Sequence, residues 1–598
     1  MLRFTLILVV LVAVSCGRKK EEIPPVPVMK SEPRKIIVYQ LMTRLFGNKE
    51  TVNKTYGTVQ ENGVGKFDDI NDQALLALKE MGITHVWYTG VLEHAVITDY
   101  TSFGIPLDDA DVVKGRAGSP YAIKDYYDVN PDLARSVPNR MKEFEALIER
   151  THNHGMKVLI DFVPNHVARA YKSDAKPKGT LDLGEFDDNT VRFKASNNFY
   201  YIPGESFKVP AEYVALGDEN EFPTKDGKFE ETPAKVTGND QFTSSPGVNE
   251  WFETVKLNYG VDIENGRTKY FDPVPDTWIK MKDILVYWAN KKVDGFRCDM
   301  AEMVPVEFWH WVIPQVKAVN PEIIFVAEIY NPDAYRNYID QGRFDYLYDK
   351  VLLYDTLRLL VNGQRSTVDI DAIQQRLSGI NANMLHFLEN HDEQRIASRF
   401  FAGNPWKAVS AMVISATIDQ GPVMIYFGQE VGEPGAGAEG FQDDDGRTTI
   451  FDYWGVPEHQ KWMNGGIFDG ALLSDDQKLL RSFYSTLLNL AASHPAIAEG
   501  EYIDLTAFNI AEKNFNDDVF ACVRYTPEKK LLIVAGFNPA ARKISVAFSP
   551  AVVEKLLLDK NKNYQLKELL WEGEEFELVE NEVRLELPAY GAYVFEIE

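Results

Sequence analysis

Eight short apolar segments, most of them separated by stretches with helical spacing, constrain the fold more than any other feature of the chain. They read IIVYQLM (36–42), THVWYTG (84–90), KVLIDFV (157–163), VDGFRCD (293–299), IIFVAEI (323–329), FDYLYD (344–349), MLHFLEN (384–390) and VMIYFG (423–428). Segments this short, rich in β-branched and aromatic residues, predict strands. Stretches such as NRMKEFEALIERTHNHG and DTWIKMKDILVYWANKKV space their apolar residues as an amphipathic helix does. Eight strands alternating with helices predict an α/β fold with a parallel sheet, and the count suggests a (β/α)8 barrel. On pattern alone, a doubly wound sheet reads similarly.

Two stretches break the alternation. The third and fourth strands are separated by well over a hundred residues rich in Gly, Pro, Asp and Asn, as in FPTKDGKFEETPAKVTGNDQ. A connection of that length in a compact barrel predicts a subdomain of its own. After LLRSFYSTLLNLAASHP the pattern changes to short strands such as VFACVRYT, KLLIVAGFN and ISVAFS, which predict a C-terminal antiparallel β-sandwich. The reading is therefore a barrel over 35–166 and 258–496, an inserted subdomain over 167–257, and a sandwich over 497–598.

The beginning of the chain has different chemistry. MLRF precedes an apolar run from Thr5 to Val14 and then Ser15-Cys16-Gly17. A basic start, a short apolar stretch and small residues make a secretory signal, too short to span a membrane as a helix. The Ala13-Val14-Ser15-Cys16 ending resembles a bacterial lipobox, which makes Cys16 the expected lipidated residue. A plain signal peptide ending at a Cys is the alternative. Residues 17–34, charged and Pro-rich, read as a disordered tether. The chain is thus expected at a bacterial cell envelope, touching membrane only through a lipid anchor. Cys298 and Cys522 are too few for a disulfide framework. The formal charge of −26 argues against a nucleic-acid partner.

Polar residues cluster at the C-terminal ends of the predicted strands, where barrel enzymes build their sites. Asp161 and His166 follow strand three, Arg297 and Asp299 end strand four, Glu328 ends strand five, and His391 and Asp392 end strand seven. A lone acid after a strand is usually a helix cap. Four acids, two His and an Arg at one rim are not explained by capping.

DFVPNH (161–166), GFRCD (295–299), VAE (326–328) and ENHD (389–392) resemble, in the right order, the four short conserved regions of the α-amylase family. GITHVWYTG (82–90), SPYAIKDYYDVNP (119–131), KLNY (256–259) and GPVMIYFGQE (421–430) extend the match from the second strand to the eighth. The resemblance implies a retaining α-glycoside hydrolase acting on α-linked glucans or maltooligosaccharides. It implies Asp299 as nucleophile, Glu328 as general acid/base and Asp392 as the third carboxylate, which binds sugar hydroxyls. Two residues from Asp299 along one strand, Arg297 is expected to keep the nucleophile ionised, with Asp161 orienting it. Glu328 is expected to stay protonated through desolvation. His166 and His391 are expected on hydroxyls of the reacting sugar, and Tyr121 beneath it. A glucanotransferase using the same intermediate is the alternative, and a non-catalytic glucan-binding lipoprotein a more distant one.

Specificity is less legible. KLN in VKLN (255–258), where many α-amylases show PDLN, and Ala301 resemble the neopullulanase, maltogenic amylase and cyclomaltodextrinase branch. The loop FQDDDGRTTIFDYW (441–454), with Arg447 and Trp454, is expected to border the cleft, or else to be an ordered surface loop. No cofactor or metal ligand is assigned. In the resembling enzymes an Asn of the first region and the Asp of PDLN hold a calcium ion. Here Asn165 is present, but Lys256 takes the Asp position, so an ammonium is expected in place of the ion. Lys66, in the turn after strand one, stands similarly for an acid that binds calcium in some relatives.

Overall fold

The computed structural model describes residues 35–598 apart from 214–223, 438, 442 and 572–574. Cys16, the signal segment and the tether lie outside the described residues. Among the described residues, no helix is long and apolar enough to cross a membrane.

Eight parallel strands close into a barrel: β1 (Ile37–Met42), β2 (His85–Thr89), β3 (Lys157–Phe162), β4 (Gly295–Cys298), β5 (Ile324–Ala327), β6 (Tyr346–Tyr348), β7 (Met384–Phe387) and β8 (Val423–Tyr426). Each lies within one of the eight predicted segments. They were legible because barrel strands are covered on both faces, so they read as continuous apolar runs. All of β1, β4, β5, β7 and β8 is buried. Strand β1 pairs with both β8 and β2, which closes the circle. Gly295 opens β4 because nothing larger fits: a Cβ there would lie 2.5 Å from Leu159 and 2.8 Å from the Ile324 carbonyl.

Helices cover the barrel as their spacing predicts. In α1 (Asp72–Glu80) the N-cap Asn71 accepts from the Ala74 amide. In α2 (Arg140–Asn153) the buried residues Phe144, Leu147, Ile148 and Thr151 fall on one face. The connection from β3 to β4 carries small two-stranded pieces. His166–Ala168 pairs with Thr254–Lys256, and Tyr201–Ile202 with Ala234–Lys235. A satellite core that includes Tyr200, Ile202, Phe207, Val236 and Phe252 stands apart from the barrel core. It is this insert that walls one side of the cleft.

The C-terminal region is antiparallel throughout. One sheet has the order β9 (Glu501–Asp504), β10 (Val519–Tyr525), β11 (Lys530–Gly536), β16 (Ala592–Ile597), β13 (Tyr564–Glu568) and β14 (Glu575–Leu578). The second pairs β12 (Arg542–Ala547) with β15 (Glu582–Leu587). Alternation explains the sandwich. In β10, Val519, Ala521 and Val523 enter the sandwich core, while Phe520 and Cys522 pack into the barrel core. Leu532 and Val534 of β11 face the sandwich, and Leu531, Ile533 and Ala535 face the barrel. The central strands are therefore buried on both faces, which fixes the sandwich to the barrel.

Candidate active site

Strand register assembles the centre. Arg297 in β4 lies beside Asp161 in β3 and Val326 in β5. Its guanidinium, 1% exposed, has the β4 and β5 carboxylates on its two terminal nitrogens: Asp299 Oδ1 at 2.8 Å from Nη1 and Glu328 Oε1 at 2.7 Å from Nη2. Asp161 stands 3.6 Å from Nη1, and the Nε donates to the Tyr348 hydroxyl at 3.2 Å. The rings of Trp87, Tyr121 and Tyr348 surround the cation at 5.3–5.5 Å. A planar, permanently charged fork held this way can serve two carboxylates at once, which a lysine cannot.

The two carboxylates differ in their partners. Glu328 accepts from the Met300 amide at 2.7 Å and the Tyr330 hydroxyl at 2.9 Å, besides its contact with Arg297. The Met300 amide reaches it because that residue adopts a left-handed conformation, φ 43°, uncommon for a side chain of this kind. Asp299 receives one donor, Arg297, and its Oδ2 is buried without a hydrogen-bond partner. Burial drives the Asp299 carboxyl well up; Arg297 opposes this, and the negative charge of Glu328 adds to it. The expected contact of Arg297 with Asp299 is present, and Arg297 reaches Glu328 as well. The fork is shared by the two carboxylates, and Glu328 has the Met300 and Tyr330 donors besides.

Asp392 is partly exposed at the mouth. Burial pushes its carboxyl up, but His391 and the guanidiniums of Arg297 and Arg447 win and hold it down at about 2. His391 Nε2 lies 3.1 Å from Asp392 and 2.5 Å from the Tyr121 hydroxyl, and its Nδ1 2.8 Å from Gln40. Tyr121 stacks on this imidazole at 5.2 Å.

His166 is reached through a chain of donors. The Lys256 ammonium can only donate, so it orients the Asn165 carbonyl oxygen toward itself. The Asn165 amide nitrogen then faces His166 Nδ1 at 3.1 Å, and that nitrogen must accept. The proton sits on Nε2, on the side of the Tyr121 backbone and the cleft. Burial, then Lys256 and Lys114, lowers this imidazole to about 3, so it is a neutral donor.

All eight sequence-assigned residues converge at the C-terminal end of the barrel. Tyr121, His166, Asp299, Glu328 and Asp392 line a cleft of about 390 Å³, while Asp161, Arg297 and His391 touch them from behind. Trp251, Lys114, Met300, Tyr330 and Phe451 also line it and were not assigned from sequence. Tyr330 was findable, two residues beyond Glu328 in AEIYNP. Trp251, packed on His166 at 5.3 Å, comes from the insert and carries no local signal. Glu302 accepts from the Tyr330 and Asn331 amides and so sets the loop carrying Tyr330. The loop 441–454 does border the cleft, through Ile450 and Phe451. Trp454 is instead buried in the barrel core, because its carbonyl and ring are drawn inward by Asn48 and apolar neighbours.

The residues of the family calcium position do not fit an ion alongside the ammonium. Lys256 Nζ bonds Asn165 Oδ1, pairs with Asp240 at 2.8 Å and approaches the Met303 carbonyl at 3.4 Å. Lys66 likewise donates to the Asp132 carbonyl.

A closed parallel barrel with grouped carboxylates at its strand C-termini defines the class of barrel enzymes that run acid–base chemistry in that mouth. Residues 51–463 match the model of the alpha amylase catalytic domain, and the chain belongs to that family of glycoside hydrolases. Alpha-amylase 3 of Dictyoglomus thermophilum is 23% identical over 407 residues, 64% of this chain and 68% of that protein. Neopullulanase 2 of Thermoactinomyces vulgaris is 21% identical, over 73% of this chain and 61% of its own. The chain spans only half of the Streptomyces lividans alpha-amylase it also matches, 50%. A maltogenic alpha-amylase structure from Thermotoga neapolitana superposes with a TM-score of 0.58 at 18% identity, covering 94% of this chain and 98% of that one.

Proposed function

We propose that this chain hydrolyses α-1,4 glucosidic bonds, and α-1,6 bonds where its cleft admits them, in starch-derived glucans or maltooligosaccharides with retention of anomeric configuration. The observation that carries the reading is the single guanidinium touching Asp299 and Glu328 together. One fork reaches both only if the two carboxylates are near neighbours, as a retaining pair spaced about 5–5.5 Å apart must be.

In this mechanism the free Oδ2 of Asp299 attacks the anomeric carbon. Glu328 gives its proton to the glycosidic oxygen as that bond breaks, and a glycosyl ester of Asp299 remains. Glu328, now a carboxylate, takes a proton from water, whose oxygen attacks the same carbon and releases Asp299. Asp392, ionised at the mouth, holds sugar hydroxyls, as do the neutral His166 and, through Tyr121, His391. The Tyr121 ring offers the face on which the sugar rests. Proton NMR during maltooligosaccharide hydrolysis is expected to show the α-anomer first, with slow mutarotation afterwards. Initial release of the β-anomer contradicts retention. Products from starch, pullulan and cyclodextrin then fix the linkage, and transfer products outnumbering new reducing ends would make the enzyme a glucanotransferase.

The lipobox-like segment supports anchoring through Cys16 at the cell envelope. Metabolic labelling with a palmitate analogue is expected to mark the wild type and not Cys16→Ala. A cleaved, unlabelled wild type in the soluble fraction overturns the anchor.

A further inference from the structure

On the side of the cleft that holds Tyr121, a short hairpin pairs Leu92–His94 with Ile123–Val129, and Glu93 stands directly opposite Asp125. Like charges facing each other across two strands destabilise the pairing unless something lies between them. Neither is solvated: Glu93 is 2% exposed and Asp125 fully buried. A third carboxylate, Asp174 of the insert, closes the group from the solvent side, and one ligand oxygen from each of the three lies within 4.8 Å of the others.

The partners of these groups are unequal. Asp125 is fixed by four donors: the Tyr127, Asp174 and Ala175 amides at 2.8 Å each and the Ser173 hydroxyl at 2.7 Å. Glu93 Oε2 is buried against the group with no hydrogen-bond partner. The nearby cations are directed elsewhere. The Lys124 ammonium goes to Asp108 at 3.0 Å, and Arg140 Nε donates to Asp128 at 2.8 Å. A buried carboxylate without a donor or counter-ion is costly.

We infer that Glu93, Asp125 and Asp174 form a binding site for one divalent cation, with calcium the ion that fits. Three hard oxygen donors suit calcium or magnesium, and Asp174 leaves the solvent side open for the waters either ion requires. Three protein carboxylates on one ion favour calcium, which takes about six to eight oxygens in flexible geometry, over magnesium, which keeps most of its waters and is held by one or two carboxylates. The ion ties the insert, through Asp174, to the hairpin whose second strand follows Tyr121. It is separate from the Lys256 position, where an ammonium already holds the insert.

The full chain, stripped with EDTA, is titrated with calcium chloride by calorimetry, alongside Glu93→Gln and Asp174→Asn. One site is expected, with a Kd of about 10⁻³ M or tighter, the range of extracellular calcium modules. Each variant should weaken it at least about tenfold, as loss of a charged ligand does. Asp174 is exposed, so its variant tests the site without disturbing the core. Calcium should raise the melting temperature of the wild type and not of the variants. No saturable binding by the wild type, variants that bind as tightly, or a preference for magnesium each overturns the assignment.

Discussion

Asp299→Asn and Glu328→Gln are each expected to lower kcat/KM on maltooligosaccharides by about 10³-fold or more, with the melting temperature changed by only a few degrees. The size follows from the roles. An amide cannot form the glycosyl ester, and it cannot supply the proton that a sugar leaving group needs; general acid catalysis alone is worth about 10²–10⁴-fold. The fold should survive because Arg297 keeps one carboxylate in either variant, together with Asp161 and its aromatic surround. Substrates with a good leaving group should distinguish the two. Glu328→Gln should recover much of its rate on an aryl or fluoride substrate, where little protonation is needed, and Asp299→Asn should not. Full activity on maltooligosaccharides in either variant contradicts the assignment.

The second large effect concerns Lys256. Its ammonium, 3% exposed, bonds Asn165 and pairs with Asp240 where the insert meets the barrel. Lys256→Met should lower stability by about 3 kcal/mol, the low end of the cost of breaking a buried pair, because Asp240 keeps a weaker contact with Arg267 at 3.6 Å. Calcium should not restore the loss, since the Met side chain supplies no oxygen ligand. Activity should fall as well, because Lys256 orients Asn165 and through it the proton of His166. Urea unfolding with and without calcium checks this. A Lys256→Met protein as stable as the wild type, or more stable once calcium is added, shows that the ammonium does not replace the ion.

The eight barrel strands were readable because both of their faces are buried, which makes each a continuous apolar run. The central C-terminal strands were readable for the same reason, with Phe520 and Cys522 on one face and Ala521 and Val523 on the other. The site residues were readable because strand ends are local: Arg297 and Asp299, two apart on one strand, share a side without any tertiary information. What the sequence did not reveal depends on separate segments meeting. Trp251 reaches His166 from the far end of the insert, and the sharing of Arg297 between two carboxylates depends on the register of β4 with β5. Trp454 illustrates the reverse case: it lies in a polar loop expected to border the cleft, but its ring completes the core. The Glu93–Asp125 pair escaped notice because the two are 32 positions apart and only the bulged hairpin sets them face to face.

Azide rescue tests the central claim most directly, since the identity of the covalent partner decides the mechanism. Asp299→Gly, which vacates the nucleophile's space, should turn over α-glucosyl fluoride only when azide is present. The product should be the β-glucosyl azide, because azide then attacks from the face that Asp299 occupied. Glu328→Gly should instead give the α-azide, as azide intercepts the ester still formed on Asp299. An α-azide from the Asp299 variant, or a β-azide from the Glu328 variant, contradicts the assignment of Asp299 as nucleophile and Glu328 as acid.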